Sequence, residues 1–557
     1  MKILLLLPFN VYNGKYDNEL VIAGGGESEI PLGIGYIKSY LKNKIPEVEV
    51  KIYDSNIDAM DYIVNKDPDV SMDFLWDRLR NKIDEFSPDI VGVSAFSHAI
   101  ALEAHKVVAV CKVIDKKTVT VMGASYPTLS YDTAIKDKNL DIIVMSEGEI
   151  VFYNLVKAMK YNEPLSEVGG IVYKENEKVI VNPIVDKIPD LDVLPYPDLD
   201  DLRIDLYGKI PRHSMQRLMK NLRPISMVSA RGCVFQCGFC ATKEVWGNAR
   251  HRSPESIIEE IKYLKIKYDF NFFKFNDDLF SLLPERVIKI CDLLIKEKLV
   301  DQWSTTGLTV KSLLNREMVD KMIQSGYYMF ALAIESGCEN TLKQINKPLK
   351  LSMVKEVVDN LRRYDKAYVT GAFVVGFPFE TKEDIQKTFD LAESLDFDWS
   401  CFNMFTPFPK TSLYDYCIEH GYIKDKEISY NDLQNTSVVS TPNFDKEWLK
   451  EIVYFNNLKI NFVNNHFLKR GNYQRAIEEF HFVRRLAPDH AIAILLIAFS
   501  YERMKKHKEA EVYYKKAEDI FNKKSFWMNY FNKLENEIKS RTNIRDFWVD
   551  GKLTFRK

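Results

Sequence analysis

Three cysteines, Cys233, Cys237 and Cys240, fall within the stretch RGCVFQCGFC at 231–240. Thiolates are metal ligands, and three so close together point to a metal centre. The spacing Cys-x3-Cys-x2-Cys leaves two chemistries open. One is zinc, with a histidine such as His251 as fourth ligand, although structural zinc favours Cys-x2-Cys pairs and a closed tetrahedron. The other is a four-iron cluster held by three cysteines, whose remaining iron stays open to a substrate or cofactor. An open iron argues for catalysis, and Phe235 and Phe239 between the thiols would then exclude water. Acidic residues also end apolar runs at Asp277, Asp278 and Glu335. Each alone has an ordinary reading as a helix cap or a turn.

These residues need elements to carry them. Residues 1–160 alternate Val- and Ile-rich runs (KILLLLPF, VEVKIYDS, DIVGVSAF, VTVMGASY, LDIIVMSE) with helix-length segments. The pattern predicts an α/β fold beginning with a doubly wound, Rossmann-like parallel sheet. Such sheets bind ligands beyond their strand C-termini, which here carry Asp54, Ser94, Gly123 and Glu147. Residues 161–222 hold a hairpin turning at Glu175-Asn176, then Pro183, Pro189, Pro195 and Pro197 among aspartates. They read as a linker with local structure. Residues 223–440 alternate again through ISMVSA, FFKFND, QWSTTGL, MFALAIES, VTGAFVVGF and CFNMFTP. Six strand–helix units predict a partial (β/α)6, TIM-like barrel with the cysteines after its first strand. Residues 441–557 read as all-α. Ala476, Phe480, Ala510 and Tyr514 recur at a period of 34, with Ala498, Tyr501 and Ala517 at matching offsets, which is the tetratricopeptide pattern.

The chain has 557 residues, 46% hydrophobic and 28% charged, with net charge -2. That suits a soluble protein of several domains and lacks the basic excess of a nucleic-acid binder. MKILLLLPF reads as a buried first strand, and no apolar run reaches the length of a membrane span, so a cytoplasmic protein is expected. Cys111, Cys291, Cys338, Cys401 and Cys417 are isolated and read as small buried hydrophobes rather than disulfide partners. The run Gly24-Gly25-Gly26 lacks the Gly-Lys-Ser/Thr of a nucleotide loop.

CVFQCGFC at the end of a first barrel strand resembles the cysteine motif of the radical S-adenosylmethionine superfamily. RHRSPESIIEEI, FKFNDDLF, ALAIESG, FVVGFPFET and FNMFTPFPKTSLY resemble its later segments, with Phe379 and Lys410 in place of usual glycines. The resemblance implies a 4Fe-4S cluster on Cys233, Cys237 and Cys240, with S-adenosylmethionine on the open iron near Phe239, Asp278 and Glu335. It also implies a reductant such as flavodoxin or ferredoxin.

PLGIGYIKSYL, PDIVGVSAF, VMGASYPT and SEGE resemble the cobalamin-binding domain that precedes the radical domain in one branch of that family. Asp54, Ser94, Gly123, Ala124, Glu147 and Gly148 are then the residues expected at cobalamin, Ala124 replacing a second glycine. Where cobalamin domains of the methionine-synthase type place Asp-x-His-x-x-Gly under the metal, this chain has Asp54, Asn56 and Ala59. An amide is a poor metal ligand, so no histidine is expected under the cobalt. His98 is the one competitor, read as a cap or surface residue. The branch implies methylation of an unactivated carbon through an adenosyl radical and a cobalt-borne methyl group. Cyclisation or rearrangement with the same cofactors stays open, as does a repeat-based interaction protein with a structural metal. A peptide or carrier-bound substrate, or self-association through the repeats, is possible on the sequence.

Overall fold

The computed structural model describes residues 1–10, 29–185, 187–207, 222–423, 439–542, 545–549 and 552–556; the Gly24-Gly25-Gly26 run lies outside them. The N-terminal sheet begins with five parallel strands: β1 (Lys2–Leu7), β2 (Glu49–Asp54), β3 (Ile90–Ser94), β4 (Val119–Gly123) and β5 (Ile142–Val144). Their order is 2-1-3-4-5, so the chain reverses direction across the sheet between β1 and β3. In β1 five of the six residues of KILLLL are buried, because helices cover both faces of the sheet.

The expected linker is in part sheet. β6 (Ile171–Glu175) pairs antiparallel with β5, and β7 (Lys178–Val181) pairs with β6, which makes a seven-stranded sheet. Ile171 and Val172 are fully buried in it. The hairpin turns at Asn176-Glu177, one residue later than expected, and both residues have positive φ as a two-residue turn of matching twist requires.

Six further parallel strands follow: β8 (Pro224–Met227), β11 (Phe272–Phe275), β12 (Gln302–Thr305), β13 (Met329–Glu335), β14 (Tyr368–Val375) and β15 (Trp399–Met404). They form two three-stranded sheets, β12-β11-β8 and β13-β14-β15. A single parallel bridge, Trp303 to Tyr327, joins them. The short strands β9 (Ala230–Arg231) and β10 (Arg250–His251) pair antiparallel and bracket the cysteine loop.

The C-terminal region is helical and ends in a hairpin, β16 (Arg545–Val549) and β17 (Lys552–Arg556). Helices Tyr473–Leu486 and Ala491–Arg503 are followed, 34 residues on in each case, by His507–Lys523 and Ser525–Thr542. Ala476, Ala498, Ala510 and Ala517 are all buried, which lets these helices approach. The boundary at residue 441 passes through packed structure. Leu449, Val453 and Ile460 of the helices that follow belong to the same apolar cluster as the barrel strands. A Cβ on Gly376, in the turn after β14, would stand 2.3 Å from Leu449. A cut near Phe444 therefore opens the apolar cluster shared with the six later strands.

The first sheet and the barrel are locked by buried polar groups. Tyr36, on helix Leu32–Lys44, donates to Glu260 at 3.0 Å, and Glu260 also accepts from Arg252. All three side chains are buried. Removing one partner leaves the other charge uncompensated, so Glu260→Ala is expected to cost about 3–5 kcal/mol. Denaturant unfolding of the purified variant measures it.

Candidate functional site

The cysteine loop owes its shape to a few fixed points. Gly232 has φ 81°, and a Cβ there would meet Asn248 O at 2.5 Å, so only glycine fits before Cys233. Asp278, at the end of β11, accepts from Gly232 N at 2.9 Å and from the Thr242 hydroxyl at 3.4 Å. One carboxylate thus ties down both ends of the loop. Its neighbour Asp277 accepts from Ser229 N at 2.7 Å and from the Ser229 hydroxyl. Burial pushes Asp277 up to about 6 and raises Asp278 as well.

Cys233, Cys237 and Cys240 line one cavity of about 1260 Å³ at the C-terminal ends of the barrel strands, together with Phe239, Asp278 and Glu335. Barrel sites form at that end. Burial raises the Cys233 and Cys237 thiols, the latter to about 11, while the nearby Lys347 ammonium opposes it. Glu335 has φ 69° and accepts from Lys347 at 2.8 Å. Phe239 packs on Phe377, with ring centroids 5.7 Å apart. Among the described residues, no three His, Cys, Asp or Glu side chains are gathered around a single-ion position. His251 sits on β10, half-buried and outside the cavity lining, so the structure does not bring it to the thiols.

The two replaced glycines turn out differently. After β14 the positive φ falls on Gly376, and Phe379 stacks on Phe377 at an interplanar angle of 7°. Lys410 does take a left-handed conformation, φ 66°. Its ammonium donates to Thr128 O of the first domain and lies 4.3 Å above the Tyr131 ring.

A second cleft, about 100 Å³, opens beyond the strand ends of the first sheet. Ser94, Gly123, Ala124 and Gly148 line it, joined by Arg231 and Trp246 from the segment that carries the cysteines. Gly33 and Gly123 leave room there: a Cβ on Gly33 meets nothing within 4 Å, and on Gly123 nothing nearer than 3.6 Å. Ala124 has φ 79° and ψ -159°, a region that belongs almost to glycine alone.

Two of the residues expected at cobalamin, Asp54 and Glu147, are not among those lining this cleft. Asp54 is a buried helix cap that accepts from Asn56 N and Ile57 N, and from Tyr207 OH at 2.6 Å. Glu147 accepts from Arg250 and from Ile188 N. Glu149, two residues on, accepts from Arg231 at 2.6 Å. The SEGE carboxylates thus clasp the arginines that flank the cysteine loop. Asn56 accepts from Asn10 N at 2.6 Å and donates to Pro8 O at 3.0 Å, so both ends of its amide are engaged. His98 is buried, not on the surface, and Ser97 is the residue that caps its turn. Its Nε2 lies 3.0 Å from Ser130 Oγ, its ring packs on Tyr126 and Phe408, and burial lowers it to about 4. Of the isolated cysteines, Cys401 is exposed, against expectation.

Sequence reasoning missed Lys347 in the thiol cavity and Arg231 and Trp246 in the sheet-end cleft. Arg231 and Trp246 flank the cysteines, which was their one local signal.

Residues 227–392 match the radical SAM superfamily, and residues 19–156 match the B12 binding domain. The chain is a radical SAM enzyme with a B12-binding domain in front, and its cofactors are a 4Fe-4S cluster, S-adenosylmethionine and cobalamin. An uncharacterized methyltransferase of Pyrococcus horikoshii is 29% identical over 426 residues, covering 76% of this chain and 84% of the relative. An anaerobic magnesium-protoporphyrin IX monomethyl ester cyclase of Rubrivivax gelatinosus is 30% identical over 344 residues, covering 61% and 60%. The solved structure of OxsB, a cobalamin-dependent S-adenosylmethionine radical enzyme with aqua-cobalamin and S-adenosylmethionine bound, shares the fold. Its TM-score is 0.64 at 15% identity, over 97% of this chain and 80% of that one.

The residues present fit these groups. Three thiols share a roomy cavity with the rings of Phe235 and Phe239 and the acids Asp278 and Glu335, and the sheet-end cleft combines open glycines with Arg231, whose buried Nη1 has no hydrogen-bond partner among the described residues. Asp278→Ala frees both ends of the cysteine loop and is expected to weaken cluster retention about 10- to 100-fold. Iron per chain after a chelator challenge reads it. Ala124→Gly relieves backbone strain of about 1–3 kcal/mol, and a higher melting temperature is the expected outcome.

Proposed function

We propose that the chain methylates an unactivated carbon. Cys233, Cys237 and Cys240 hold the cluster, Phe239, Asp278 and Glu335 surround S-adenosylmethionine, and Ser94, Gly123, Ala124 and Gly148 receive cobalamin. When bound, the cluster and S-adenosylmethionine supply a one-electron radical source, and cobalamin supplies a methyl carrier. The chain's own residues do the rest. Asp278 ties down the loop that carries the thiols, Phe239 lines the cavity beside them, and Lys347 balances the charge of Glu335. A flavodoxin or ferredoxin is the natural electron donor.

The observation that carries the reading is the path of one short segment. Its cysteines line the barrel cavity, and its Arg231 and Trp246 line the sheet-end cleft, so two cofactor sites adjoin across it. Adjoining sites suit a reaction that uses both cofactors on one substrate. The likeness to the Pyrococcus methyltransferase supports methyl transfer. The likeness to the Rubrivivax cyclase supports a second reading, ring closure without methyl gain. Product mass separates them: methylation adds one CH2.

The helix pairs with their 34-residue offset support tetratricopeptide repeats, a surface for a peptide or carrier-bound substrate or a second copy. No described helix is long and apolar enough to cross a membrane, and a cytoplasmic location fits.

Anaerobic reconstitution with iron, sulfide and cobalamin tests the assignment. Brown colour and 5′-deoxyadenosine release are expected, and both are lost in a Cys233→Ala, Cys237→Ala, Cys240→Ala triple variant. Undiminished cluster iron in that variant overturns the ligand set. With Asn56 engaged and His98 caged, the cob(II)alamin form should show no nitrogen splitting from a lower ligand in electron paramagnetic resonance. A splitting that disappears in His98→Ala contradicts this.

A further inference from the structure

We propose that Arg231 is itself a cobalamin ligand, its Nη1 donating a hydrogen bond to an acceptor on the nucleotide tail. The inference rests on the B12-binding reading of the first domain and assigns a residue that lies outside that domain.

Arg231 is 6% exposed. Its Nη2 donates to Glu149 at 2.6 Å. Its Nη1 is buried and has no hydrogen-bond partner among the described residues. The Glu147 carboxylate is 3.7 Å from it, too long for a hydrogen bond. Glu147 is already taken by Arg250 and Ile188 N. The guanidinium lies 5.6 Å from the Trp246 ring and 5.8 Å from that of Tyr36, and its Nη2 bond to Glu149 orients it.

A buried charged donor is costly to leave unmade, so its place in a ligand cleft calls for a ligand acceptor. The cleft is lined by Ser94, Gly123 and Gly148, with Leu5 and Phe152 as apolar walls. Two arginines already face two glutamates here, so the local charge balances. That balance favours a neutral acceptor, a ring nitrogen of the base or a ribose hydroxyl, over the phosphodiester. Arg231 also precedes Cys233 by two residues, so the same side chain that senses the tail anchors the start of the cluster loop.

The test uses the full chain with its cluster reconstituted and two corrinoids: cobalamin, and cobinamide, which lacks the nucleotide. In Arg231→Met the dissociation constant for cobalamin should rise about 10- to 100-fold, while that for cobinamide stays at the wild-type value. Retained iron and cobinamide binding certify the fold. Where Arg231→Met loses both, Arg231→Gln, which keeps an amide donor and similar length, is measured the same way. Unchanged cobalamin affinity overturns the proposal. Equal loss of both corrinoids in Arg231→Gln, with iron retained, also overturns it and makes Arg231 a clasp between domains only. Wild-type protein that binds neither corrinoid overturns the B12 reading instead, a separate outcome.

Discussion

The architecture depends on a set of buried ion pairs between the first domain and the segment that carries the cysteines. Arg231 meets Glu149 and Arg250 meets Glu147 across that contact, and the Arg252–Glu260 pair on the far side takes the Tyr36 hydroxyl of the first domain. Burying such charges is expensive unless each finds a partner of good geometry. Hydrophobic packing alone would let the sheet and the barrel slide. Paired charges in a low-dielectric contact allow one register, and that register sets the thiol-lined cavity beside the sheet-end cleft.

The same constraint explains the division of labour among the acids. Glu147 and Glu149 open the helix that follows β5, a place where a carboxylate is favoured by the helix dipole. They use that position to hold arginines. Asp54 and Asp278 likewise act through backbone amides, one capping a helix and the other closing the cysteine loop. Glu335 differs: it lines the cavity paired with a lysine that also lines it. Acids at strand ends therefore act as scaffold, as cavity lining or, in Asp278, as both.

Ala124 shows how the cleft bears on the backbone. Its φ and ψ suit glycine, and its amide neighbourhood continues through Thr128, which accepts from Ser146 N and donates to Ala124 O. Lys410 reaches the same helix from the barrel side. The strained turn is over-determined by these bonds, the condition under which such strain persists.

Much of this was legible in the sequence. The three-thiol spacing, the five parallel strands, the six later strands and the helix pairs at a period of 34 are local or periodic features. Ligand spacing and hydrophobic period are set by neighbours along the chain. The resemblance to radical S-adenosylmethionine and cobalamin domains rested on the same short segments. What the sequence alone could not determine is which partners distant residues find. The partners of Glu147 and Asp54, the burial of His98, the pairing of the expected hairpin with the first sheet and the packing across residue 441 could not be read from local pattern. Tertiary structure decided them, because a cap, a clasp and a core contact are settled between segments far apart in sequence. The placement of Arg231 in the first domain's cleft is of that kind: its number puts it beside the cluster, and only the fold puts it beside the sheet.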